Sequence, residues 1–458
     1  MKRDRTQLLL HEPNLYKAFM ILALPIFAAN FMRAFNDLID TYFIGQIADS
    51  VSAQAGISVA WPVLNILMSL QMGFAVAGVA VISQLLGSQQ KERARENAGL
   101  LLTLAVVTGV VVNLIIYFCS PWILTLMGAE GGTYEAALDY LRIRSFEMIP
   151  LFVFGAFQST RQAQGDTTTP VYLSIITIVI NVVFTGIFVR VYDMGAFGAG
   201  LATMLGQVAV MPPALIILFS KKQNFHLERK HLRVDWAPLK VLTKIALPAA
   251  ATQALTALGF LVLQSIILSY GDEVAAAFSN GNKVSNMLLM PVMALGNVLA
   301  AYVGQNIGAG NSDRARKAVK VSRNLGLAIS IVGFLILTPI RTHIVALLTN
   351  DALTQELAKE YVFWVLLTQP LMALFQNYIS TFNGSGNTRY AFIMGTVRLW
   401  IIRLPMILFM NRCTNLGASG IWYAMVLSNL LIMILGMILY RRVDFAPYRG
   451  LSRQEGEA

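Results

Sequence analysis

Charge is scarce in this sequence. Asp, Glu, Lys and Arg make up 13% of its 458 residues, roughly half the share of an ordinary soluble domain, so a normal water-solvated surface is excluded. Cysteine is nearly absent, with only Cys119 and Cys413. That excludes a disulfide-stapled scaffold, and both read as inert packing residues near one membrane face rather than as a bridge. His11, His226, His231 and His343 are scattered without metal-ligand spacing, and no phosphate-cradling glycine loop is present. The chain is therefore expected to be neither an enzyme nor a nucleotide-driven pump, and to need no metal or cofactor.

Apolar residues fill the place of the missing charge. They make up 56% of the chain, and runs such as Leu100 to Phe118, Pro170 to Val189, Leu325 to Ile340 and Ile421 to Tyr440 approach the roughly 20 residues that cross a bilayer core. Twelve such segments are centred near residues 30, 68, 107, 149, 180, 208, 255, 290, 331, 370, 400 and 430. The expectation is an all-α polytopic membrane protein of twelve transmembrane helices. Asp37 and Asp40 lie in the first segment and no small-residue cleavage site follows it, so it is expected to stay in the mature chain.

A net charge of +11 raises the question of nucleic acid, and its placement answers for a membrane instead. Lys2, Arg3 and Arg5, the triad Lys91, Arg93 and Arg95, the stretch Lys221 to Arg233, the cluster Arg314, Arg316 and Lys317, and Arg441 with Arg442 fall on alternate connections. The intervening connections around Gln46, Gly128 and Gly271 carry no Lys or Arg. The basic side is expected to be cytoplasmic, with both termini there and the chain in the cell membrane.

Sliding the sequence over itself by 220 to 223 residues aligns two halves. Leu24-Pro25 meets Leu247-Pro248, the stretch Gln84 to Gly87 meets Gln305 to Gly308, Pro150 meets Pro370, and Gly165 to Thr167 meets Gly386 to Thr388. Residues 1–220 then form an N-terminal lobe of six helices, 221–236 a cytoplasmic linker, and 237–458 a C-terminal lobe. An even number of crossings per half relates the lobes by a pseudo-two-fold axis along the membrane normal, with a cavity between them.

Ionisable groups inside membrane segments are functional candidates by default. At about 100° per residue, Asn30, Arg33, Asp37 and Asp40 form one polar stripe on the first helix. Arg33 can neutralise Asp37 one turn away as a structural pair, which leaves Asp40 as the candidate for reversible protonation or cation binding. The matching seventh-helix positions are Gln253, Thr256, Phe260 and Leu263, so coupling is expected in the first lobe alone. Glu147, with Arg142 and Arg144 near it, and Asn181 are further first-lobe candidates. The second lobe carries Lys283, Arg398 and Arg403 instead. Backbone bonding or snorkelling accounts for them structurally, and the alternative is a cavity that favours an anionic group. Met68, Met72, Met204, Met287 and Met290 suit either an adaptable cavity wall or plain helix contacts.

In their order and repetition these segments resemble the multidrug and toxic compound extrusion (MATE) family. The carriers are Leu24-Pro25 followed by Asp40 to Gly45, the two Gln-to-Gly stretches with basic loops after them, and the loop Gln164 to Thr167. The resemblance implies a secondary active exporter that exchanges amphipathic, commonly cationic organic compounds for protons or sodium through a cavity between lobes. Within the family the chain looks most like the DinF-like branch. That likeness implies a coupling site of Asp40 with Asn181 and Thr203, and a helix-bending proline at Pro25. Where archaeal members of that branch carry a second acid this chain has Thr185, which leaves Asp40 alone or with Asp37 or Glu147. The acids that the other main branch places in its second lobe are replaced by Gln253 and Gln369. A lipid-linked precursor flippase of the same superfamily is the alternative reading. The expected partners are small organic substrates, protons or sodium, and membrane lipid, but no nucleic acid. One chain suffices as a monomer.

Overall fold

A computed structural model describes residues 9–44, 50–414 and 416–448, with the backbone alone at 37, 38, 40–42, 44 and 50–53. Among the described residues there is no strand. The helices are α1 (Leu15–Ile44), α2 (Ser50–Gly87), α3 (Lys91–Leu126), α4 (Gly131–Ser145), α5 (Met148–Ala163), α6 (Thr168–Thr185) and α7 (Gly195–Phe219) in the first half. The second half has α8 (Trp236–Leu268), α9 (Asp272–Gly308), α10 (Ser312–Leu348), α11 (Ala352–Gly384), α12 (Thr388–Thr396), α13 (Leu404–Cys413) and α14 (Ala418–Arg441). A π-helical turn, Gly186–Val191, prolongs α6, and another, Val397–Arg403, joins α12 to α13.

Eleven of the resulting rods are long and apolar enough to cross a bilayer. The twelfth crossing is α4 with α5, broken at Phe146 and Glu147. Twelve transmembrane helices in two six-helix lobes result, as the hydrophobic runs imply.

The halves exchange their leading helices. The start of α1 lies in the second-half core, where Leu9, Ala18, Phe19 and Leu22 are buried with Leu299 and Tyr302 of α9. Phe19 stacks on Tyr302 with ring centres 5.2 Å apart. Symmetrically, Leu242, Ile245 and Ala246 of α8 belong to the first-half core with Leu85 and Leu101, while Leu263 and Ile267 at its far end return to the second half. Each exchange passes a proline inside a helix, Pro25 or Pro248.

At the basic end the halves are closed on each other. Gln305 Nε2 donates to the Ala163 carbonyl at 2.6 Å, and Gln84 Nε2 to the Gly384 carbonyl at 3.3 Å. Gln84 Oε1 also accepts the Tyr448 N–H at 2.9 Å. A Cβ at Gly87 would collide with the Gln305 carbonyl, and one at Gly308 with the Gln84 carbonyl. Glycine is required at both places because two backbones meet there.

The linker is folded down rather than loose. His231 is buried with its ring 3.0 Å from Glu92, and Thr103 of α3 donates to the Leu232 carbonyl at 3.1 Å. Cys119 and Cys413 are free and exposed, so they do not pack as their small apolar character suggested.

Candidate transport site

Between the halves lies a cleft of about 420 Å³. Its first-half wall includes Asn30 and Arg33 of α1 with Gln71, Met72, Gln158 and Gln162. Its second-half wall includes Thr252, Gln253, Asn297, Gln376 and Asn383. Amides, hydroxyls and thioethers stand there among small and branched apolar side chains. Such a wall hydrogen-bonds in either sense and adapts its shape, which suits varied organic ligands. Gln162 bridges the halves by donating to the Asn297 carbonyl at 2.7 Å. Of the methionines that suited either a cavity wall or helix contacts, Met72 lines the cleft and Met68 packs against the first-half core.

The stripe on α1 divides in the structure. Asn30 and Arg33 line the cleft. The side chains of Asp37 and Asp40 lie outside the described residues, although their backbone continues α1. Beyond Pro25 the helix runs along α6, and Phe43 packs against Gly186 at the π turn. The segment that carries Asp40 therefore borders the helix that carries Asn181.

Asn181 and Thr203 meet. Asn181 is buried and donates through Nδ2 to Thr203 Oγ1 at 3.0 Å, while that hydroxyl donates to the Ala199 carbonyl at 2.9 Å. Thr185, one turn along α6, is fully buried. The pair expected from the family resemblance is thus in hydrogen-bonding register across α6 and α7.

Glu147 is held differently. It is buried in the break between α4 and α5 in an ion pair with Arg144, whose Nη1 also donates to Tyr140 Oη at 2.9 Å. Of its two basic neighbours in sequence, Arg144 is the partner.

Asp166 was missed by sequence reasoning, although its place in the loop Gln164 to Thr167 was on view. It lines the cleft, receives Arg161 Nε at 2.9 Å and the Thr169 N–H at 3.1 Å, and so starts α6. Burial pushes its carboxyl pKa up, but the Thr169 hydroxyl and the Arg161 guanidinium outweigh that and hold it below the ordinary aspartate value.

In the second half, Lys283 sits at an exposed position of α9. Arg398 and Arg403 are buried and line a separate, smaller cavity that also contains Gln369.

Comparison with known proteins decides the family. The MatE profile matches residues 25–187 and again 248–409, well over half of the chain, with the two matches starting at Pro25 and Pro248. The chain belongs to the MATE family. Relatives include the probable multidrug resistance protein YoeA of Bacillus subtilis, 24% identical over 418 residues, covering 90% of each chain. The probable multidrug resistance protein NorM of Thermotoga maritima is also 24% identical, over 90% of this chain and 89% of its own. Among solved structures, an outward-facing MATE family transporter superposes with a TM-score of 0.91 over 96% of this chain and 98% of its own, at 19% identity. A MATE in complex with MaD3S superposes at 0.90 over the same shares, also at 19% identity. At that identity the structures speak for the fold: a multi-pass membrane protein of the MATE architecture, in a family of multidrug efflux transporters.

Proposed function

We propose that this protein is a proton-coupled exporter of amphipathic, mainly cationic organic compounds, with Asp40 as the coupling group. The observation that carries the reading is the cleft between two exchanged lobes, lined by amides and thioethers and closed at its basic end. The basic end is taken as cytoplasmic, with both termini there, and the membrane as that of the cell. Substrate then leaves toward the opposite face, and a single chain supplies the whole cleft.

Asp40 works with Asn181 and Thr203 in this scheme. A carboxylate accepts hydrogen bonds from amide and hydroxyl donors, whereas a carboxylic acid becomes a donor itself. Protonation therefore rearranges the bonding of the outer part of α1. Pro25 lacks an N–H, so α1 bends there at low cost and alters the first-lobe side of the cleft. Thr185 is not an acid, and in this reading Asp40 alone carries the coupling. Glu147 serves as the structural partner of Arg144.

The test is uptake of ethidium into proteoliposomes under an imposed pH step. Wild-type protein is expected to accumulate ethidium and Asp40→Asn to be inert while inserting normally. Accumulation driven by a sodium gradient alone would replace the proton with sodium. Equal transport by both proteins would overturn the reading.

A further inference from the structure

The fifth crossing of each half carries opposite chemistry. In the first half it presents Asn181 and Thr185, and in the second Arg398 and Arg403, both buried. Five α-helical residues would leave the two arginines about 140° apart. The π turn Val397–Arg403 closes its bonds one residue later and swings them toward one side. Both line a cavity of about 100 Å³.

Two buried donors of that cavity, on Arg398 and Trp422, lack an acceptor, against one buried acceptor, Gln369 Oε1, that lacks a donor. Arg403 donates from Nε to Ser428 Oγ at 3.0 Å and from Nη2 to Asn429 Oδ1 at 2.8 Å. Arg398 lies 4.2 Å over the Phe375 ring and reaches Met372 Sδ at 3.1 Å, but its buried Nε meets no acceptor. The indole N–H of Trp422, fully buried in the same wall, meets none either. Among the described residues no Asp or Glu lines the cavity. An arginine cannot shed its proton, and two buried like charges repel. A thioether and a ring face repay little of that cost. A structural pair of arginines calls for carboxylates or carbonyls; among the described residues Arg403 has one side-chain carbonyl, that of Asn429, and Arg398 has none.

We propose that this cavity is a subsite for the anionic group, a carboxylate or one of similar size, of an amphipathic organic substrate. Its volume admits a headgroup and falls short of the roughly 300 Å³ of a full ligand pocket. The remainder of such a substrate has a place to lie. Leu289 and Met372 of the cavity stand one helical turn from Met293 and Gln376 of the cleft, on the side away from the basic end. Phe278 and Tyr361 pack on Trp422 with ring centres 6.5 and 4.2 Å away, so the walls are stiff. The proposal rests on the export reading only for calling the ligand a substrate.

Calorimetric titration of the full chain in phosphatidylcholine nanodiscs, without any gradient, tests binding apart from coupling. The probes are 1-naphthoate, its neutral amide 1-naphthamide, and inorganic phosphate. The naphthoate is expected to bind at least about tenfold tighter than the amide and to be displaced by phosphate. Arg398→Gln is expected to erase that preference and Arg398→Lys to keep part of it. Equal affinity of the two naphthalenes, or an unchanged preference in Arg398→Gln, overturns the subsite. Should Arg398→Gln not fold, the wild-type comparison decides alone. In nanodiscs containing phosphatidylglycerol the naphthoate affinity is expected to hold; its loss would assign the cavity to a lipid headgroup and overturn the proposal.

Discussion

Glu147 and Arg144 neutralise each other inside the fourth crossing, and removing one partner strands the other charge in an apolar site. Glu147→Gln is expected to cost about 3–5 kcal/mol of stability, whereas Arg144→Met with Glu147→Leu recovers most of it. Thermal unfolding in detergent reads both, and export by the double variant separates a structural pair from a coupling acid. Asp166 makes a second test at this scale. Its folded-state pKa is depressed, so the stability it contributes is present above the ordinary aspartate value of about 4 and fades as pH falls through the lowered value. Asp166→Asn is expected to lose about 2 kcal/mol at pH 7, with the gap to wild type closing below about pH 4. The sequence exposed the polar residues of α1 through helical spacing alone. It did not expose Asp166, because a residue that ends one helix and starts the next has no periodicity to betray it.

At the scale of elements, Gly87 and Gly308 mark where α2 and α9 touch backbone to backbone. Gly308→Val is expected to hold the basic end apart, lowering export at least about tenfold while leaving protein level near wild type; fluorescent labelling of a cysteine placed at Ser88 should rise with it. Unchanged labelling and transport would contradict a close-packed end. Pro25→Ala restores a backbone donor to α1, and slower export at unchanged substrate affinity is expected if bending there limits turnover. The repeat made both glycines visible as the paired Gln-to-Gly stretches. The π turns stayed hidden, since Gly186–Val191 and Val397–Arg403 read as unbroken apolar helix. Without the second turn, Arg398 and Arg403 read as residues on different helix faces.

The twelve crossings and their duplication were legible because lipid demands long apolar runs and a duplicated chain keeps its spacings. The exchange of α1 and α8 between lobes was not, since periodicity tells which face is apolar and not which neighbour covers it. That exchange makes the two prolines the places where each half reaches into the other, so a local change on α1 has the whole cleft to act on. The most direct test of this account is export of ethidium from everted membrane vesicles, with proton and sodium gradients collapsed separately, for wild type and Asp40→Asn. The account predicts wild-type export that stops when the proton gradient is collapsed and persists without sodium, and no export by the variant. Full gradient-driven export by Asp40→Asn would contradict it.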